Sequence, residues 1–204
     1  MNNHATIYVI DDDAALRDAL ALLLELDDFS VETFASPMDF LTVCESAAGP
    51  RSCAIVDLRM PGMDGLQLQE ALTQRGIRLP IVFLSGHGDI PTSVRAIKAG
   101  AVNFLTKPVT GVALRKSIEA ALQEGARLYA QSQAQQTSAM RLDSLTDRER
   151  EVLFLATEML PNKEIARKLG ISHRTVEIHK ARLMQKTGAA TVLDLVRLVD
   201  ACKT

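Results

Sequence analysis

Three adjacent aspartates, Asp11-Asp12-Asp13, a fourth, Asp57, a serine, Ser85, and a lysine, Lys107, each stand at the end of a short apolar stretch. If those stretches are parallel strands of one sheet, their C-terminal ends share an edge, and the four sets meet where ligands of such sheets bind. Carboxylates brought together repel and call for a cation. An all-oxygen donor set favours a hard ion, and Mg²⁺ binds through few carboxylates together with water and phosphate oxygens. Such an ion can hold a phosphoryl group in line with a carboxylate nucleophile. Asp57 is then the expected nucleophile, giving an acyl phosphate. Lys107 would pair with a phosphoryl oxygen as a point charge, and the Ser85 hydroxyl would donate to another. Singly, each residue has a plainer role: the aspartates, Asp13 above all, as caps of the next helix, Ser85 as a loop hydroxyl, Lys107 as a surface lysine. Their coincidence at the ends of the right strands carries the chemistry.

The elements that must position these residues follow from periodicity. Apolar stretches at Thr6–Ile10, Val31–Phe34, Cys53–Val56, Ile81–Leu84 and Asn103–Leu105 read as strands, three of them nearly all apolar, as strands covered on both faces should be. Between and after them the spacing predicts helices at Ala14–Leu26, Pro37–Glu45, Gly65–Gln74, Thr92–Ala99 and Gly111–Gln123. Leu16, Leu20, Leu23 and Leu24 supply the inward stripe of the first. Pro37 and Pro91 stand near helix starts, and Gly76 and Gly100 just past helix ends. The result is five β-α units: an α/β doubly wound, five-stranded parallel sheet.

After Gln123 the character changes. Gln131-Ser-Gln-Ala-Gln-Gln-Thr-Ser is polar with no core stripe, and residues 123–143 read as a linker able to continue the preceding helix. From 144 to 204 the chain reads as a separate all-α, four-helix domain. Thr146-Asp-Arg-Glu149 is a capping box opening a helix to Glu158 that buries Val152, Leu153 and Ala156. Asn162 is the expected cap of a short helix ending near Leu169. Gly170-Ile-Ser172 makes a tight turn, and Ser172 caps a helix that runs to about Lys186 and stops at Gly188. A last helix, Thr191–Ala201, carries Val192, Val196 and Val199 on one face.

The whole-chain charge of −2 hides an asymmetry. Residues 1–124 hold 16 acidic and 10 basic side chains, whereas 162–186 holds 7 basic and 2 acidic. An acidic half joined to a basic stripe implies different partners. The stripe coincides with a helix–turn–helix pattern, whose second helix enters a major groove of double-stranded DNA. Val176 and Leu183 would face the core. Arg174, Glu177, Ile178, Ala181 and Gln185 form the opposite face, with Ile178 suited to a thymine methyl and Glu177 to a cytosine amino group. Lys163, Thr175, Lys180 and Arg182 are placed for phosphates, which position without specifying. Cys44, Cys53 and Cys202 have no metal-ligand spacing and fit a reducing, cytoplasmic setting. No apolar run approaches the ~20 residues of a membrane span, and the first ten residues lack a signal-peptide layout.

Residues 5–122 resemble a response-regulator receiver domain, with flavodoxin-like topology. The resemblance rests on Ile10-Asp-Asp-Asp13, on Ile55-Val-Asp57-Leu-Arg59-Met-Pro-Gly-Met-Asp-Gly65, on Leu84-Ser85-Gly-His87-Gly-Asp89, on Lys98-Ala-Gly-Ala101 and on Asn103-Phe104-Leu-Thr-Lys107-Pro108. Residues 142–201 resemble the LuxR/FixJ-type DNA-binding domain, through Leu145-Thr-Asp-Arg-Glu-Arg-Glu-Val-Leu153, Pro161-Asn-Lys-Glu-Ile-Ala166, Leu169-Gly-Ile-Ser172 and Thr175-Val-Glu-Ile-His179. Met159 departs from that pattern, where most members have glycine. The resemblance implies phosphorylation of Asp57 by a partner histidine kinase, with Mg²⁺ held by Asp11, Asp12, Asp57 and the Arg59 carbonyl. It implies a frequent cis bond at Lys107-Pro108. It also implies a switch in which Ser85 moves to the phosphoryl group, Phe104 turns inward, and the remodelled face forms a homodimer that binds promoter DNA and works with RNA polymerase. Arg59 and His87 would screen the acyl phosphate from water. The expected domains are a receiver at 1–122, the linker at 123–143 and the helix-turn-helix at 144–204.

Rival readings are a phosphatase using Asp57, a regulator switched without phosphate, and an adaptor that binds no DNA. The first is disfavoured because Arg59 stands where such enzymes usually carry a second acid, and no enzymatic activity is expected.

Overall fold

The computed structural model describes residues 5–86 and 90–201. His87 and Cys202 lie outside them. The chain divides into two compact units, Met1–Ala130 and Gln131–Thr204.

In the first unit β1 (Thr6–Ile10), β2 (Ser30–Phe34), β3 (Ser52–Asp57), β4 (Ile81–Ser85) and β5 (Asn103–Thr106) form one parallel sheet in the order β2-β1-β3-β4-β5. The central strands β1, β3 and β4 are buried nearly throughout, whereas β2 and β5 at the edges are half-open. Alternation along each strand sorts the core into two layers. Tyr8, Ile10, Val56 and Phe83 pack on one face with Phe40, Leu68 and Leu72. Ile7, Val9, Ile55, Val82 and Leu84 pack on the other with Leu20, Leu24, Leu114 and Ile118. The first layer takes side chains from α2 (Pro37–Leu41), α4 (Gly65–Gln74) and α5 (Ile90–Lys98), and the second from α1 (Ala14–Glu25) and α6 (Gly111–Asp143).

Three details differ from the sequence expectation, and a fourth, the length of α6, follows the continuation that the sequence allowed. Leu23 is exposed rather than part of the inward stripe of α1. It stands about 100° round the helix from Leu24, past the edge of the buried arc. The helix expected over Pro37–Glu45 is two pieces, α2 and α3 (Cys44–Ala47). The Thr42 hydroxyl donates to the Asp39 carbonyl at 2.7 Å, which also accepts from its amide, and this local competition breaks the ladder. Helix α5 starts at Ile90, two residues before the expected Thr92, because Pro91 is tolerated in a first turn. Helix α6 extends through residues 123–143 to Asp143.

The second unit is helical. After the end of α6 come α7 (Asp147–Thr157), α8 (Asn162–Leu169), α9 (His173–Thr187) and α10 (Val192–Ala201), packed around Val152, Ile165, Val176, Leu183 and Leu195. The capping box at Thr146 and Glu149 forms, as does the Ser172 cap of α9. Asn162 is not a cap: Pro161 takes that position, and the Asn162 Oδ1 accepts from Lys180 Nζ at 3.3 Å. The Val192, Val196, Val199 stripe of α10 is only half-buried, and Leu195 is the fully buried anchor instead. Among the described residues no helix is long and apolar enough to cross a membrane.

Candidate functional site

The C-terminal ends of β1, β3, β4 and β5 carry Asp11, Asp57, Ser85 and Lys107 to one edge. Asp13 leaves the site to cap α1, accepting from the Ala15 and Leu16 amides. That cap orients the loop so that the Asp13 amide donates to Asp11 Oδ1 at 2.9 Å, while Arg17 Nη1 donates to the Asp11 carbonyl at 2.7 Å. Asp11 and Asp57 are buried and Asp12 is exposed. Carboxylate oxygens of the three lie within 4.8 Å of one another.

Lys107 closes the group, with its Nζ 2.7 Å from Asp11 Oδ2 and 2.6 Å from Asp57 Oδ1. Its own amide donates to the Ser85 carbonyl at 2.8 Å, and the Lys107-Pro108 bond is cis. The Arg59 amide donates to Asp57 Oδ2 at 2.9 Å. Burial raises the pKa of Asp57 above the ordinary carboxylate value. The hydrogen bond and charge of Lys107 work the other way, the Asp11 charge adds to the rise, and the Arg59 amide opposes it. Burial also works against the Lys107 ammonium, but the hydrogen bonds and charges of Asp11 and Asp57 outweigh it and hold its pKa above normal.

Three carboxylates against one ammonium leave two negative charges in a pocket whose donors are all oxygen. That composition fits a hard divalent cation. Asp11, Asp12 and Asp57 would hold it.

Ser85 is buried at the end of β4, one residue past Leu84, the partner of Asp57 across the ladder. Phe104 pairs with Phe83 across β4–β5 and packs, half-buried, on the α4 side of the sheet. Arg59 is exposed.

Gly65 is a residue the sequence reading placed at a helix start and at the end of the receiver-like motif, with no role of its own. A Cβ there would lie 2.5 Å from the Asp57 carbonyl oxygen and 2.9 Å from the Phe83 ring. Only glycine lets α4 begin this close to the strand that carries Asp57. Its place after Asp64, the cap of α4, was the visible signal.

In the second unit α8, the Gly170 turn and α9 make the helix–turn–helix. Gly170 has φ +65°, the left-handed turn that stops α8. Val176 and Leu183 are fully buried. Arg174, Glu177, Ile178, Ala181, Arg182 and Gln185 are exposed on α9, as is Lys163 on α8. Ile178 is 45% exposed, an apolar side chain in the middle of a polar face. Three positions also make contacts within the helical unit. The Thr175 hydroxyl lies 2.7 Å from that of Ser172 within the cap, Lys180 bonds Asn162, and Glu177 Oε1 stands 3.5 Å from His173 Nδ1.

Two family descriptions match this chain: the response regulator receiver domain over residues 7–119, and bacterial regulatory proteins of the luxR family over residues 143–199. The transcriptional regulatory protein FixJ of Azorhizobium caulinodans is 41% identical over 194 residues, covering 94% of this chain and 90% of that protein. The response regulator protein TodT of Pseudomonas putida is 42% identical over 202 residues, covering 98% of this chain and 87% of that protein. The solved structure of the response regulator StyR superposes with a TM-score of 0.77 at 42% identity, covering 97% of this chain and 98% of that one.

Proposed function

The chain belongs to the two-component response regulators that join a receiver domain to a LuxR-type DNA-binding domain and regulate transcription, and from that premise we propose that phosphorylation of Asp57 by a sensor histidine kinase drives it to dimerise on DNA. The observation that carries this reading is Lys107 bridging Asp57 and Asp11 within a cluster of three carboxylates.

Asp57 Oδ1 attacks the phosphorus of the kinase phosphohistidine. The P–N bond breaks and the imidazole leaves. The raised pKa of Asp57 remains compatible with this role, because the Lys107 ammonium beside it favours the ionised carboxylate. A bound Mg²⁺, held by Asp11, Asp12, Asp57 and the Arg59 carbonyl, would supply neutralisation of the transferring group. Lys107 then holds one phosphoryl oxygen and the Ser85 hydroxyl a second. Movement of Ser85 frees space for Phe104, and the α5–β5 face is remodelled.

That face already carries an apolar stripe: Ile90, Val94 and Ile97, at i, i+4 and i+7, are all exposed on α5. A second copy covers it in the phosphorylated dimer. The paired α9 helices then read two half-sites in the cytoplasm. Arg174, Glu177, Ile178 and Ala181 meet base edges, Lys163, Thr175, Lys180 and Arg182 meet phosphates, and RNA polymerase responds.

The test is gel filtration and promoter-DNA binding of the full chain, with and without beryllofluoride and Mg²⁺. Beryllofluoride should produce a dimer and tighter DNA binding in the parent. Val94→Asp should abolish the dimer without blocking phosphorylation by acetyl phosphate. An Asp57→Ala chain that dimerised and bound DNA equally well under both conditions would sink the reading.

A further inference from the structure

A cleft of about 340 Å³ opens at the sheet edge opposite Asp57, where β4 and β5 begin. Its volume falls in the range of small-molecule sites, about 300–1,000 Å³. Leu72, Ile77, Pro80, Val102 and Leu128 give it apolar walls. An adjoining hollow shares Gly100, Val102 and Glu124 with it.

Two polar groups in this setting have no use in the phosphoryl chemistry or the DNA interface. Gln69, on the cleft wall, is only 5% exposed. Its Nε2 donates to the Ala99 carbonyl at 3.0 Å, but its Oε1 is screened from water and meets no donor among the described residues. A buried acceptor left unmet is costly, and its retention asks for an explanation. At the mouth, Arg78 is exposed and pairs with no carboxylate among the described residues. The nearby acid, Glu124, is answered by Arg127, whose Nε and Nη2 reach its two oxygens at 2.8 and 2.7 Å.

The geometry points to a binding site for a small carboxylic acid with a hydroxyl or N–H donor at its far end. The acid pairs with Arg78, the hydrocarbon body lies against the apolar walls, and the donor meets Gln69 Oε1. A rotamer step of Gln69 presents that oxygen to the ligand, an ordinary adjustment on binding. One exposed guanidinium, with the Glu124 carboxylate also lining the cleft, favours a monoanion over a phosphate, whose second charge Glu124 would repel.

The probe is 6-hydroxyhexanoate, titrated into the full chain and followed by amide NMR, beside hexanoate, which lacks the donor, and 1,6-hexanediol, which lacks the acid. The hydroxy acid should give saturable shifts at Gln69, Arg78 and residues 99–102, with millimolar affinity in keeping with so small a ligand. Arg78→Ala, at an exposed position that leaves the fold intact, should weaken it about tenfold and leave the diol unaffected. Gln69→Leu should erase the difference between hydroxyhexanoate and hexanoate. If that variant does not fold, the Arg78→Ala comparison decides alone. Absence of saturable shifts at 20 mM ligand, shifts centred elsewhere, or binding indifferent to Arg78→Ala would each overturn the assignment.

Discussion

At the scale of single residues, burial and charge oppose each other at Asp57. Its carboxyl has a raised pKa because it is buried beside Asp11, even with Lys107 2.6 Å away. A group whose folded pKa is raised binds its proton more tightly in the folded chain, so its contribution to stability is greatest in acid and is lost as pH rises past the ordinary carboxylate range. Neutral asparagine of the same shape removes that loss while leaving Lys107 paired to Asp11. Asp57→Asn should therefore melt at a higher temperature than the parent at pH 7 in the absence of divalent ions. The gap should close as pH falls below about 4. Thermal denaturation of the receiver at several pH values checks this, and a lower melting temperature at pH 7 would contradict it.

At the scale of elements, two features of the helical unit make separable predictions. Met159 has φ +62°, in the left-handed region, at the turn between α7 and α8. This is the position where the resemblance led us to expect glycine. A side chain there costs about 1–2 kcal/mol, partly offset by the ~0.5–1 kcal/mol that glycine loses in flexibility on folding. Met159→Gly should stabilise the unit by up to about 1 kcal/mol, a few degrees in melting temperature. Calorimetry of the full chain would resolve it.

The second feature joins the start of α7 to the end of α9. Lys186 Nζ lies 2.7 Å from Glu149 Oε2 and also donates to the Ser144 carbonyl. The hydrogen bond from Lys186, followed by that from the Thr146 backbone, pulls the Glu149 pKa down to about 2. A depressed carboxyl stabilises the fold above its ordinary pKa, and that stability is lost as pH falls from about 4.5 towards 2. Lys186→Met should thus be less stable than the parent at pH 7, with the difference vanishing near pH 2. Denaturant midpoints across that range measure it.

At the scale of the whole molecule, the asymmetry of charge separates two kinds of partner. The acidic receiver sets three of its carboxylates together at one sheet edge, while residues 162–186 carry a local excess of five positive charges. Lys163, Lys180 and Arg182 from each of two copies would neutralise about six phosphates, giving a slope near −5 for the logarithm of DNA affinity against that of salt. Replacing Arg182 by alanine should flatten the slope by about 2 in the dimer and weaken all sequences alike, whereas Ile178→Ala should relax sequence preference with the slope kept. Binding isotherms at several salt concentrations distinguish the two.

Much of this molecule was legible from local pattern. The short apolar runs of the strands, the caps at Asp13, Thr146 and Ser172, and the polar types at strand ends all depend on residues a few positions apart, whose geometry the backbone dictates directly. The α/β sheet and the helical second unit follow from those signals, as does the candidate site at the sheet edge. What tertiary structure alone decided are the pairings across long sequence separations and the margins of buried faces. Lys107 meets Asp11 across 96 positions, Lys186 meets Glu149 across 37, Gly65 admits α4 against Asp57, and Leu195 rather than the valines anchors α10. Periodicity says which face of an element is apolar. How far that face is covered, and which distant charge lies against it, is set by the packing of several elements at once, and no local stretch of sequence encodes that.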